Sequence, residues 1–323
     1  MNMKKTLFRV KAVALLFVVV LFVAGCANKK QTTENGMASI YHWRTVFAPS
    51  KTELNFLKRH NIKRMYIKMF DVVAEHNHTN GSIEVVPIAT TKFAAEMPNG
   101  VEVVPVAYIT IDALRAIQGK ESEYASLITE RMLAMCSYNN CGAISEMQID
   151  CDWTATTRTS YALLCQAVKD ILEEEGMALS ITVRLHQLSE TPPPADRGVL
   201  MLYNTGVLKD YDTKNSILDI NDVRPYIKKG TYPMPLSYAY PAFGWGIKFE
   251  NQEFVSIVSE KDRPTGEAEY IRKERPMADE ILVVKQLVEE NLGKPSFGNI
   301  IYHLDESQLE NYTNDEIDAI LAY

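Results

Sequence analysis

Eight short β-rich runs recur along the 323-residue chain, most of them followed by a polar loop and then by apolar positions at helical spacing. The runs cover residues 39–46, 63–70, 102–110, 146–153, 178–186, 198–204, 234–240 and 299–304, and the helical patterns cover 51–60, 121–136, 160–175, 222–229, 277–292 and 315–321. Strands alternating with helices build a parallel sheet, and eight such units over about 285 residues match an α/β fold of the (β/α)8, or TIM, barrel type. Loop lengths orient it. Helix-to-strand links are short (61–62, 176–177, 293–298), whereas links after strands are long (71–101, 205–221, 241–276). In such a barrel the long links rise from the C-terminal ends of the strands, the face that carries sites. Units two and five depart from the ideal. Only about ten residues separate 186 from 198, Pro192, Pro193 and Pro194 among them, which leaves no room for a full helix. An irregular barrel is expected; the alternative, an open doubly wound sheet, finds no GxGxxG or P-loop in support.

The first 26 residues read as an address. Lys4, Lys5, Arg9 and Lys11 precede an unbroken apolar run over 12–23, which ends in Ala24, Gly25 and Cys26. That run is short for a membrane span, which takes about 20 residues, and the layout is that of a signal peptide. Phe22-Val23-Ala24-Gly25-Cys26 resembles a bacterial lipobox, which implies cleavage before Cys26 and lipidation of that residue. Several acyl chains on one cysteine anchor a protein stably where a single chain binds marginally. A polar, flexible linker is expected over 27–37, then a single barrel domain over 38–323. No acidic cluster follows Cys26, so the expected location is the bacterial cell envelope, lipid-anchored to the outer membrane and facing the periplasm. The formal net charge of −7 includes four leader cations, so the remainder is more acidic still and offers no broad field to a phosphate backbone. The expected partners are the membrane, through the lipid, and no nucleic acid.

In an oxidising compartment the other four cysteines matter. Cys136 and Cys141 flank Ser-Tyr-Asn-Asn at a helix end, a spacing that permits a local disulfide, while Cys151 and Cys165 read as small buried hydrophobes. No CxxC, HExxH or other metal-ligand spacing occurs, so neither a metal nor a cofactor is expected.

The fourth β-rich run reads Glu146-Met147-Gln148-Ile149-Asp150-Cys151-Asp152-Trp153. Side chains alternate along a strand, so Gln148, Asp150 and Asp152 share one face and Met147, Ile149 and Cys151 the other. In a barrel the polar set points inward, with Asp150 and Asp152 about 7 Å apart at Cα near the site face. Like charges at that range raise at least one pKa, which acid chemistry exploits. On the next strand Ser180, Thr182, Arg184 and His186 share a face. Arg184 is placed to neutralise either aspartate or to bind an anionic group, and His186 to exchange protons near neutral pH. Lys68 on strand two joins them by the same parity. Aromatic residues close several strands: Trp43 the first, Tyr203 the sixth, and Tyr238, Tyr240, Phe243 and Trp245 the seventh. Flat rings beside carboxylates suit a sugar, whose C–H face is apolar and whose edge needs hydrogen bonds; half of these rings are expected to be core.

Asp150-Cys151-Asp152-Trp153-Thr154 resembles the strand-four ending Asp-x-Asp-x-Glu of family 18 glycoside hydrolases, the chitinase and endo-N-acetylglucosaminidase barrels, with Thr154 where that family has Glu. Met201-Leu202-Tyr203-Asn204 is similar to the family's Met-x-Tyr-Asp on strand six, with Asn204 replacing the Asp. No Ser-x-Gly-Gly stands on strand three, and Tyr302-His303-Leu304-Asp305 on strand eight lacks the family's Trp. The resemblance implies a TIM barrel acting on carbohydrate, in which the Glu protonates the leaving oxygen and the preceding Asp assists the substrate's acetamido group. The Thr154 hydroxyl does not ionise near neutral pH, so another strand would have to supply the acid, with Asp71 and Asp305 as candidates. The whole sequence is also similar to Bacteroidetes-type lipoproteins that share Asp-x-Asp-Trp-Thr and Met-Leu-Tyr-Asn-Thr-Gly, a likeness that carries no activity with it.

Two functions fit. One is a membrane-anchored glycoside hydrolase-like enzyme using Asp150, Asp152 and His186, with Arg184, Tyr203, Asn204, Tyr238, Tyr240, Trp245, Trp43 and Lys68 binding the glycan. The other is a non-catalytic glycan-binding lipoprotein on a degenerate hydrolase barrel. Either requires the anchor. Cys26→Ser is expected to move the protein from the membrane to the soluble fraction on cell fractionation, with loss of the acyl mass by mass spectrometry.

Overall fold

Strand alternation closes into a ring. The computed structural model describes residues 36–77 and 81–323, and the barrel strands are β1 (Ser39–His42), β2 (Arg64–His76), β3 (Glu102–Ile109), β4 (Glu146–Asp150), β5 (Ala178–Val183), β6 (Arg197–Met201), β7 (Leu236–Pro241) and β8 (Asn299–Tyr302). Each pairs in parallel with its sequence neighbour, and β1 pairs with both β2 and β8, so no barrel edge is left open. The fold is therefore a (β/α)8 barrel. The signal-peptide residues, Cys26 and the linker up to residue 35 lie outside the described residues.

Helices on the outside are α1 (Lys51–Arg59), α2 (Ile111–Ala116), α3 (Glu121–Tyr138), α4 (Arg158–Glu174), α5 (Ile220–Val223), α6 (Ala278–Leu292), α7 (Glu306–Leu309) and α8 (Asn314–Leu321). Capping boxes start two of them, Ser50 with Glu53 at α1 and Thr313 with Glu316 at α8. The helix expected over 222–229 is a single turn, because Pro225 removes the next amide donor. Unit five has only a 3₁₀ turn, Leu185–Ser189. Unit two has no helix: β2 runs on past the barrel and pairs antiparallel with Ile83–Ile88. After β7 an antiparallel three-stranded insert, Trp245–Glu250, Glu253–Val258 and Glu269–Glu274, replaces the direct passage to α6.

Two apolar clusters follow from the two-residue period. Met147, Ile149 and Cys151 of the β4 segment pack outward against the helices with Leu179, Ile181 and Val183 of β5. Tyr41, Tyr66, Val104, Val106, Val199, Met201, Ala239 and Ile300 fill the interior. The inward face of β4 is polar throughout, and each residue finds partners. Glu146, 1% exposed, lies 3.3 Å from Arg64 and 3.0 Å from Arg197, and the Tyr66 hydroxyl donates to it. Gln148 accepts from the Tyr41 hydroxyl at 2.7 Å and donates to Ser180. Where β8 begins, Gly298 has φ +98°, and a Cβ there would lie 2.3 Å from the Met37 carbonyl oxygen, so glycine is required.

His42 is fully buried on the outward side of β1, edge-on to Phe47, and neither ring nitrogen has a hydrogen-bond partner among the described residues. Burial, then the nearby Arg44 charge, then His303 lower its pKa from 6.5 to about 4. The folded state thus holds the proton less tightly than the unfolded chain. The associated stability is complete above pH 6.5 and is lost as pH falls toward 4, to the extent of about 3 kcal/mol. Urea midpoints measured from pH 7.5 to 4 should fall accordingly, and His42→Leu should flatten that dependence.

Candidate active site at the barrel mouth

Asp150 closes β4 at the C-terminal end of the barrel, where the parallel register sets it beside Tyr108 of β3 and one position past the Ile149–Ile181 pair with β5. Its carboxylate accepts hydrogen bonds from the Thr182 hydroxyl and, at 3.1 Å, from Arg184 Nη2. Arg184 Nε donates to Asp152, and Nη1 donates to the Tyr203 hydroxyl at 3.4 Å, with the guanidinium 5.6 Å from the Tyr203 ring centroid. One guanidinium therefore ties two carboxylates and a phenol together. The exposures differ sharply: the Asp150 side chain is 2% exposed and that of Asp152 43%. Burial is the main cause that raises the Asp150 pKa, opposed by Arg184, and the charge of Asp152 contributes less. The expected like-charge effect is present but secondary to desolvation.

A cleft of about 260 Å³ opens above this group, lined by Asp152, Arg184, Leu185, His186, Met201, Tyr203, Asn204, Thr205 and Tyr226. That is just below the usual range for small-ligand pockets and gives room for little more than one sugar ring. Asp152, Arg184, His186, Tyr203 and Asn204 thus meet at one cleft. His186 sits exposed in the 3₁₀ turn and makes no side-chain hydrogen bond to Asp150 or Asp152; the β5 ladder stops at Val183, so strand parity does not reach it. The β4 ladder likewise stops at Asp150, and Trp153 turns outward to stack on Tyr161. The Gln187 side chain joins the two loops, accepting from Arg184 N and donating to Trp153 O.

Lys68 and Trp43 belong to a neighbouring group. Lys68 Nζ pairs with Asp71 at 3.0 Å and lies 5.7 Å from the Trp43 ring centroid. Tyr108 links this group to the carboxylates, standing in register with both Asp71 and Asp150; burial, with Asp152 and Asp150, raises its pKa to about 12. Asp305 serves as the N-cap of α7. Thr154 shares hydrogen bonds with Thr156 and Thr157, so its hydroxyl is held within its own turn.

Tyr238 and Tyr240 are not at the mouth. Both face the helix layer, fully buried, and the Tyr238 hydroxyl donates to the Gly293 carbonyl; Ala239 between them is the inward residue of β7. Tyr302, Tyr108 and Tyr226 complete the mouth instead. Tyr302 stacks on Tyr203 with centroids 4.4 Å apart and approaches Trp43 at 5.8 Å, and Phe243 and Trp245 continue the wall. The inward parity of β3 and β8 marks Tyr108 and Tyr302 in the sequence, whereas Tyr226 follows an irregular loop with no such signal.

The insert holds this wall in place. Glu274, fully buried, accepts from the Trp245 indole at 2.8 Å, from Ser216 at 2.5 Å and from Arg272 at 2.6 Å. Arg272 in turn donates to the carbonyls of Leu208, Asp210 and Tyr211, in the loop that leaves β6 for α5. Among the described residues no group of three or more His, Cys, Asp or Glu is placed to hold a metal ion.

Arg184→Met should cost about 3–5 kcal/mol, because Asp150 would stay buried without its cation, whereas Asp152→Asn, half exposed, should cost under about 1 kcal/mol. Equilibrium urea unfolding of the two variants checks this; equal costs would refute the geometry.

No protein-family model and no curated protein matches the chain. Solved structures do. A chitinase from Chromobacterium violaceum superposes with a TM-score of 0.54 at 12% identity, over 89% of this chain and 99% of that one. The spore cortex-lytic enzyme SleL of Bacillus cereus gives 0.54 at 15%, over 89% and 74%. A Group IV chitinase from Ostrinia furnacalis, solved with allosamidin, gives 0.53 at 10%, over 88% and 98%. At these identities the fold is what is shared: the chain is a TIM barrel, built as those chitinases and SleL are.

Proposed function

We propose that this barrel is a glycan-binding protein of the cell envelope, anchored through lipidated Cys26, that holds a sugar at the mouth without cutting it. The observation that carries the reading is Arg184. A carboxylate that acts as general acid must hold and release a proton beside the substrate, and one that acts as nucleophile or base must be free to approach it. Asp150 is buried beneath the cleft, and Asp152 is ion-paired to the same guanidinium that contacts Asp150. Thr154, at the position of the family's acid, offers only a hydroxyl engaged in its own turn. What remains is a shape for recognition, with an acceptor on Asp152 and aromatic faces on Tyr203 and Tyr226 above a polar floor. Two Ostrinia furnacalis chitinases of this fold were solved with an N-acetylchitooligosaccharide and with allosamidin, which makes N-acetylglucosamine oligomers the first probes.

The expected result is saturable binding of chitooligosaccharides by calorimetry, with no release of reducing ends. Tyr226→Ala should weaken binding about fivefold, since one ring contact is worth around 1 kcal/mol, with the urea midpoint unchanged. Release of reducing ends by the wild type, lost in Asp152→Asn, would establish the hydrolase reading instead. Absence of binding across a panel of neutral, acidic and amino sugars would overturn both.

A further inference from the structure

We propose that Cys136 and Cys141 form a redox pair that closes into a disulfide across the C-terminal cap of α3. The backbone brings them together. Cys141 N–H donates to the Cys136 carbonyl at 3.0 Å, Asn140 N–H donates to the Ser137 carbonyl at 3.3 Å, and Asn140 has φ +52°. These are the 6→1 and 5→2 bonds of a Schellman cap with its left-handed residue, and that motif places the side chains of its first and last members, here the two cysteines, against each other. Apolar residues usually make this contact. Here the pair is two thiols, both buried in the outer core. The neighbouring Cys136 thiol lowers the Cys141 pKa, which favours Cys141 as the attacking thiolate.

Closure proceeds by thiol–disulfide exchange with a small disulfide oxidant. The Cys141 thiolate displaces one thiol from the oxidant, and Cys136 then displaces the second from the mixed disulfide. The two protein thiols lose two protons and two electrons, and the oxidant's S–S bond becomes two thiols. Cys151 and Cys165 provide the internal contrast, because both are buried behind β4 and α4 and burial pushes the Cys165 thiol up to about 12. The closed staple would fix the turn over 142–145 that leads into β4, where Ser145 bonds Glu102.

The test equilibrates the full-length folded chain with oxidised and reduced glutathione over a range of ratios. Acid quenching, alkylation in denaturant and peptide sequencing by mass spectrometry then locate the free thiols. Cys136 and Cys141 should disappear together with a loss of two hydrogens, while Cys151 and Cys165 remain alkylated. Oxidation should raise Tm by about 3 °C in the wild type and leave Cys141→Ala unmoved. Retention of both thiols under fully oxidising conditions, or their separate capture as glutathione adducts, would overturn the proposal, and neither outcome depends on a variant folding.

Discussion

Every inward residue of β4 is polar, and the barrel is arranged around satisfying them. A buried carboxylate without a cation is costly, so Glu146 requires Arg64 and Arg197 at one end of the axis and Asp150 requires Arg184 at the other. Gln148 bridges the middle through Tyr41 and Ser180. Partners come from four other strands or their ends, so a shift of β4 by one residue would break charge compensation at both ends at once. The column of polar groups therefore specifies register, and the aromatic interior packs around it.

Much of this was legible because closed barrels impose a period of two. The eight strands, the missing helices in units two and five, and the inward set Gln148, Asp150, Thr182 and Arg184 all follow from alternation and loop length. The partnership of Arg184 with both aspartates needed only the adjacency of β4 and β5. Parity fails where ladders end. His186 lies past the last paired residue of β5, Val183, and takes its direction from a 3₁₀ segment.

Tyr238 and Tyr240 show the converse failure. They were selectable as aromatics near a strand end, yet Ala239 takes the inward position, as the crowded interior beside Met201 and Ile300 favours a small residue there. Tyr302 occupies the place that residue type alone assigned to them. The cleft residue Thr205 begins a loop held by the Arg272 and Glu274 contacts, and Tyr226 follows the single turn of α5; nothing local in either segment announces its path.

That clasp separates two kinds of change. The loop from β6 to α5 is bound to the insert by the three carbonyls that Arg272 gathers, and the insert meets the barrel mouth through Trp245, which packs on Phe243. Rim and insert are thus tied to each other by contacts that do not involve the polar inward residues of β4. Substitutions there can redraw the outline of the mouth while the charged axis of the barrel stays as it is, so relatives of this chain can diverge in what they recognise without renegotiating how they fold.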